Sequence, residues 1–442
     1  MTELRFGNDR GGLEKVFVQK CADACGRRGG LCNAWNLLVR KIAKTWERGR
    51  VLFGGGRERM AVRRGVEWAR GGWVHVAPCD VWRFDTGGGK RILGVAGEVG
   101  KEARILILSW GEAGDRPAFR ELGGEVAVLR VSKGADGERM TGQVLEAARG
   151  WIFVNPLQYG RWAGMRGSRR VVYDAHDEFV VSYARFGMGK EQLMTAEKRL
   201  LGDADRVWFC TEADRAATQR RYPNLEGNKW AILPNGIHAA EAGEAVVPSK
   251  ARANRTKAGW KQPVVLFAGA NYGPNYEAVD EISRTWAPTQ PEATFVILGM
   301  RLDRYLRDGG LAPAPNVVFT GLVSEEEKRV LYDLSEVAIV PLRTGSGSSL
   351  KVPEAIARGK VVIGTRVGLR GFGEWTKWES VIETEEGPEV LGEVLGRLEA
   401  EAVAYDAACR EAAAEMQRRY TWGALMERWR GTWGAPQAHT LE

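Results

Sequence analysis

Short apolar runs, nearly unbroken by polar residues, recur along this chain with helical or loop segments between them. "RVLFGGG" (50–56), "WVHVAP" (73–78), "RILILSW" (104–110), "EVAVLRV" (125–131), "WIFVNP" (151–156), "RVVYDAHD" (170–177) and "RVWFCT" (206–211) form one series. "PVVLFAG" (263–269), "TFVILG" (294–299), "NVVFTG" (316–321), "VAIVPL" (337–342) and "VVIGT" (361–365) form a second. A strand that is apolar on both sides must be covered on both faces, which is the situation of a parallel sheet between helix layers. The stretch between the series, 241–263, is rich in charge, Pro and Gly and reads as a linker or surface loop. Two strand–helix series joined by a linker predict an α/β chain of two doubly wound domains, with ligands outside the carboxyl ends of the strands and a cleft between the domains. A length of 442 residues agrees, being too long for one ordinary core.

The basic residues are unevenly placed. Residues 1–72 hold 16 Lys/Arg against 7 Asp/Glu, while the whole chain has 64 against 56, so the excess lies in the first sixth. Trp35, Trp46 and Trp68 are interleaved there, and residues 1–47 read as mostly helical. One reading is a solvated helical face over core tryptophans. The other is a docking surface for a polyanion, either an anionic membrane surface or nucleic acid. No run of 18 apolar residues and no secretory core at the start are present, so a cytoplasmic protein is expected, peripheral to a membrane or DNA-associated. Six cysteines make no disulfide framework, and Cys21, Cys25 and Cys32 lack a fourth ligand for zinc. No metal is expected.

Chemistry concentrates in "GSGSSLKVPEAIARGKVVIGT" (345–365). The loop Gly345–Ser349 follows a buried strand and precedes a helix. Small residues let backbone approach a ligand closely, and a helix start offers free N–H groups that suit phosphate. Lys351 adds a full positive charge. Glu354, one turn further on the same face, can accept hydrogen bonds from sugar hydroxyls. Phosphate, ribose and a glycine turn together imply a nucleotide. The spacing is not that of a Walker loop.

The block "VAIVPLRTGSGSSLKVPEAIARGKVVIGTRVGLRGF" resembles the donor-binding signature of GT-B glycosyltransferases of family 4. "VVLFAGANYGPNYEAVDEI", "DADRVWFCTEADR", "ILPNGI" and "RRYTWGALMERWRGTW" resemble further segments of that family, and together they cover residues 150–433. The resemblance implies a retaining enzyme with two Rossmann-like domains; with the basic start read from its own residues, the expected division is an extension (1–47), an acceptor domain (48–245), a donor domain (246–420) and a crossover helix with a tail (421–442). The donor would be a nucleotide-diphosphate sugar, with no cofactor required. Lys351 would meet the diphosphate, Glu354 the ribose, and Gly345, Ser346, Gly347, Ser348, Ser349 and Leu350 the phosphates and sugar. Ser346 replaces a glutamate that many members carry. Gly269 and Asn271 would line the donor site, with Arg343 as a second cation. His176 would face the donor sugar, with Lys351 and Glu354 completing the catalytic group. Gly54, Gly55, Gly56 and Asp177 would lie on the acceptor side. Glycans or lipid-linked glycans are the family's common acceptors. The basic start also fits DNA carrying a hydroxymethylated base. A non-catalytic protein that binds nucleotide sugar or polyanion is the alternative of another class.

Overall fold

The computed structural model describes residues 56–433, except 79, 83–85, 113, 226, 239–242, 261, 300, 304–308, 310 and 311. The expected extension 1–47, the strand "RVLFGGG" up to Gly55, and the tail beyond Trp433 lie outside the described residues.

The first sheet has eight strands: β1 (Trp73–Val76), β2 (Ile105–Trp110), β3 (Ala118–Gly123), β4 (Val126–Val131), β5 (Gly150–Phe153), β6 (Arg170–Ala175), β7 (Arg206–Phe209) and β8 (Trp230–Ile232). Their order is β3-β4-β2-β1-β5-β6-β7-β8. All neighbours pair in parallel except β3, which runs antiparallel to β4 through a turn at Gly123 and Gly124, both at positive φ. The apolar runs behave as expected. Leu106 and Leu108 of β2 enter one core and Ile105 and Ile107 the other, so each strand is buried on both faces. β3 was not foreseen, because its sequence "AFRELG" is a half-exposed edge with no apolar run.

The second sheet has six strands, all parallel: β9 (Val264–Ala268), β10 (Thr294–Leu298), β11 (Val317–Gly321), β12 (Val337–Val340), β13 (Val361–Gly364) and β14 (Val381–Glu383). The order β11-β10-β9-β12-β13-β14 reverses direction between β9 and β12. The first sheet reverses likewise between β1 and β5. These two reversals mark where loops splay apart and ligands enter.

The helices that matter for the site are α1 (Gly56–Ala69), α2 (Gly87–Val99), α3 (Phe179–Ala184), α4 (Pro248–Lys257), α5 (Gly273–Glu281), α6 (Glu325–Leu334), α7 (Lys351–Ala357), α8 (Ala402–Tyr420) and α9 (Trp422–Met426). α6 starts with the foreseen capping box of Ser324 and Glu327. α4 corrects the reading of 241–263 as linker or loop. Pro248 opens it, and the Arg255 guanidinium is buried 2.8 Å from Glu336. Its burial rests on a distant charge partner, which its own composition does not show.

After α8 the chain returns to the first sheet. Trp422 packs on α2 at Gly94, where a Cβ would lie 2.2 Å from the indole. Trp429 and Trp433 sit 5.1 and 5.6 Å from the Trp208 ring, and Trp433 lies 4.9 Å from Trp73. Such aromatic pairs add about 0.5–1.5 kcal/mol each beyond area burial, so the return strap binds the two halves together. This is the two-domain GT-B architecture.

Candidate active site

Both topological reversals open toward one cleft. On the second sheet's side, the loop after β9 and the loop after β12 converge. Asn275 of α5 links them: its Nδ2 donates to the Ala270 carbonyl at 2.9 Å, and its Oδ1 accepts from Lys351 Nζ at 2.9 Å. Lys351 Nζ also lies 5.3 Å from the Phe267 ring centre. The residue as a whole is half-buried, but its ammonium is enclosed, and burial pushes it down to about 8. An enclosed cation with one neutral amide partner is poorly compensated and poised to receive an anion.

The loop Gly345–Leu350 needs its glycines. Gly345 has φ +128° and Gly347 φ +72°, regions that side chains rarely adopt. A Cβ on Gly347 would lie 2.4 Å from the His176 carbonyl oxygen. Arg370, in the loop after β13, holds the turn by donating to the carbonyls of Gly345 (2.6 Å) and Gly347 (2.5 Å). The Ser348 and Ser349 hydroxyls are buried without a hydrogen-bond partner. Two buried, unpartnered hydroxyls at a glycine turn are able to donate to an anion.

Glu354 is 12% exposed and already engaged. Lys328 of α6 donates to it, Tyr332 donates at 3.4 Å, and Lys90 Nζ of α2 lies 3.8 Å away. Glu354 sits on α7 itself, so any ligand group it takes must share the carboxylate with these partners.

The first sheet's side is built around Asp174 at the end of β6. Asp174 is fully buried between Arg91 (Nη2–Oδ1 2.6 Å) and His176 (Nε2–Oδ2 3.0 Å). Burial favours the neutral acid, but Arg91 and His176 outweigh it and hold the carboxyl well below the usual range. The His176 side chain is 15% exposed. Its Nδ1 faces Gly88, where a Cβ would stand 3.5 Å away. Asp177 lies beside Gly347, and burial pushes its carboxyl up despite the Ser182 hydrogen bond.

Hydrogen bonds cross the cleft directly, among them Ser182 Oγ to Ser346 Oγ at 2.7 Å and Asn235 Nδ2 to the Ser348 carbonyl at 3.0 Å. The structure therefore brings His176, Asp177, Gly345–Leu350, Lys351 and, behind them, Glu354 into one region.

Of the other expected residues, Gly269 and Asn271 lie in the loop after β9 on the cleft side. Arg343 is taken up outside the turn, 2.9 Å from Glu281 and paired with Glu385. Arg370 is the cation that reaches the loop instead. Asn271 accepts from Tyr276, and Gly269 packs tightly on Asn275. Gly54 and Gly55 lie outside the described residues, and Gly56 opens α1. That helix packs over β4, where Gly65 meets Leu129, away from the reversal of the first sheet. Among the described residues, the glycine run Gly87–Gly89, at the start of α2 after the first strand, reaches the cleft. Thr86 caps it by accepting from the Gly89 N–H at 3.1 Å. "TGGGK" before a helix was the available signal.

A cavity of about 880 Å³ opens at the amino ends of β7 and β8, beside Arg206 and Lys229. It is at the opposite strand ends from His176, and no residue of the cleft lines it. Among the described residues, no group of three or more His, Cys, Asp or Glu is placed to hold a metal ion, and no helix is long and apolar enough to cross a membrane.

Residues 262–398 match the family model of glycosyl transferases group 1. No curated protein sequence matches the chain. Among solved structures, a sucrose-phosphate synthase from Thermosynechococcus elongatus superposes with a TM-score of 0.62 at 15% identity, over 81% of this chain and 97% of that one. HepE from Anabaena, in complex with UDP-glucose, gives 0.61 at 13% identity, over 81% and 98%. An α,α-trehalose-6-phosphate synthase from Burkholderia multivorans gives 0.55 at 15% identity, over 81% and 97%. At these identities the likeness establishes the shared fold.

Proposed function

We propose that this chain, a GT-B glycosyltransferase whose donor half belongs to the glycosyl transferases group 1, moves a sugar from a nucleotide-diphosphate sugar to an acceptor hydroxyl with retention of configuration. The observation that carries the reading is the meeting of His176 with the Gly345–Leu350 loop and Lys351 across the cleft. The donor diphosphate lies on that loop. Lys351 and the buried Ser348 and Ser349 hydroxyls take its oxygens, and Arg370 keeps the turn in shape. Glu354 takes the ribose hydroxyls in exchange for part of its contact with Lys328. Residues 48–245 serve the acceptor, 246–420 the donor, and 421–442 return to the first half.

In the reaction, the bond from the anomeric carbon to the diphosphate oxygen breaks and a bond to the acceptor oxygen forms on the same face. The acceptor proton passes to the departing phosphate oxygen. Positive charge on the sugar ring is met by the His176 side, and negative charge on the leaving group by Lys351 and the loop N–H groups. UDP-hexoses are the donors to try first. The acceptor is a glycan or a lipid-linked glycan.

The test is a transfer screen read by mass spectrometry. Purified protein is mixed with a panel of nucleotide sugars and three acceptor pools: lipid-linked glycan extract, unmodified DNA and hydroxymethylpyrimidine DNA. Transfer to the glycan pool that disappears in Lys351→Ala supports the reading. Mass gain on hydroxymethylated DNA alone replaces the acceptor. Absence of both transfer and slow donor hydrolysis with every nucleotide sugar overturns the enzyme assignment.

A further inference from the structure

The His176 imidazole is held by a chain of hydrogen bonds that ends on the other side of the cleft. His176 Nε2 lies 3.0 Å from Asp174 Oδ2. The other Asp174 oxygen accepts from Arg91 Nη2 at 2.6 Å and Nε at 3.0 Å. Arg91 Nη1 donates to the Leu233 carbonyl at 2.9 Å, the Pro234 carbonyl at 3.3 Å and Asn235 Oδ1 at 3.2 Å. Asn235 Nδ2 then donates to the carbonyl of Ser348, in the glycine turn of the second sheet, at 3.0 Å. Arg91, Asp174 and Asn235 are all buried.

The chain has a fixed sense. Arg91 has only donors, so Asn235 must turn its oxygen toward it. That leaves the amide N–H₂ for the Ser348 carbonyl. A flipped amide would set donor against donor at Arg91 and acceptor against acceptor at Ser348. Asn235 is thus matched on both sides, and its neighbours Leu233 and Pro234 pin the same guanidinium. In a buried network, a shift at one member is passed to the next because no water can substitute.

We propose that Asn235 is a positioning residue that couples the seating of the Gly345–Leu350 loop to the orientation of the His176 imidazole, through Arg91 and Asp174. The turnover effect rests on the function proposed above; the coupling itself does not. When the loop closes on a donor, the histidine is brought into line; when the loop lifts, Arg91 and Asp174 lose one anchor.

Two variants separate the arms. Asn235→Asp keeps an oxygen for Arg91 but replaces the donor to Ser348 with a repelling acceptor. Asn235→Ala removes both arms. The chain has four histidines, so histidine-selective NMR resolves them, and His176→Gln assigns the signal. In the free protein, the His176 ring resonance should move in Asn235→Asp while the melting temperature stays close to wild type. On adding UDP, the wild-type His176 signal should respond, and the response should be lost in Asn235→Asp although UDP still binds. Turnover should fall by about tenfold or more with donor KM nearly unchanged, as expected when a reacting geometry is loosened. A His176 resonance identical in wild type and both variants overturns the coupling, whatever happens to the rate. If UDP binds to none of the proteins, the donor reading fails, and the free-protein comparison still decides the coupling.

Discussion

Lys90 Nζ lies 3.8 Å from Glu354 Oε1, although the two residues belong to helices on opposite sides of the cleft. The same ammonium is 3.0 Å from Glu325 Oε1 at the start of α6. Lys90 is 18% exposed and Glu325 61%, so the pair with Glu325 is screened and contributes on the order of 0–1 kcal/mol. That is too little to hold the protein folded, but enough to bias a balance between open and closed cleft. Lys90→Ala should lower the melting temperature only slightly and raise donor KM several-fold, with the effect shrinking at high salt. An unchanged KM at low salt would remove Lys90 from cleft closure.

Gly347 and Gly88 make contrasting demands around His176. An added methyl at Gly347 meets the His176 carbonyl at 2.4 Å, at a φ of +72°. At Gly88 it meets the His176 ring at 3.5 Å, ordinary contact. Gly347→Ala must therefore displace the donor loop or the histidine and should reduce donor-dependent turnover by about a hundredfold. Gly88→Ala should leave turnover within a few-fold. Equal rates for the two variants would show that the loop does not seat against His176.

Much of the frame was legible because parallel strands advertise themselves. Ile105–Leu108 are four buried apolar residues in a row, and so are Val337–Val340. The elements that the sequence does not reveal lack that signature. β3 is an exposed edge, and α4 is held to the second domain through the buried pair of Arg255 with Glu336, 81 residues apart. The Gly345–Leu350 loop is readable because its glycines and serines are contiguous with Lys351. Arg370 and Asn235 were not singled out, since each reaches that loop only after the chain has folded back. Two glycine runs, 54–56 and 87–89, look alike as sequence. Gly54 and Gly55 of the first lie outside the described residues, while the second opens toward the cleft at the start of α2. The basic excess of residues 1–72 falls mostly outside the described residues, and its two readings stand as they did.

If Lys351 holds the diphosphate as proposed, it gives donor binding a pH limit. Burial pushes its ammonium down to about 8, so above that pH the free protein loses the charge that the diphosphate needs. Donor KM should be flat up to about pH 7.5 and should rise between pH 8 and 9.5. A bound diphosphate favours the charged form, so turnover at saturating donor should fall at a higher pH than the KM break. Lys351→Arg, always charged, should abolish the break even if it binds less well. A break that persists unchanged in Lys351→Arg would assign the titration to another group.

His75, behind the site on β1, should shape stability rather than rate. Neither ring nitrogen has a hydrogen-bond partner, and Nε2 is 3.9 Å from Asp174. Burial pushes its pKa down to about 3, outweighing the attraction of Asp174. The unfolded chain takes up this proton near pH 6.5, whereas the folded chain resists until about 3. Between those values the unfolded state binds one more proton, so stability falls as pH drops, by up to about 1.4 kcal/mol per pH unit. Buried Asp177 and Asp214 shift in the opposite sense to Asp174, so the raw melting curve mixes several groups. Comparison with His75→Leu isolates one. The variant should lose less melting temperature than wild type between pH 7 and pH 5, and the two curves should converge in slope above pH 7. Parallel curves across that whole range would mean that the folded protein accepts the proton on His75 as readily as the unfolded chain does, and Asp174 would then carry a second charged partner within the cleft wall.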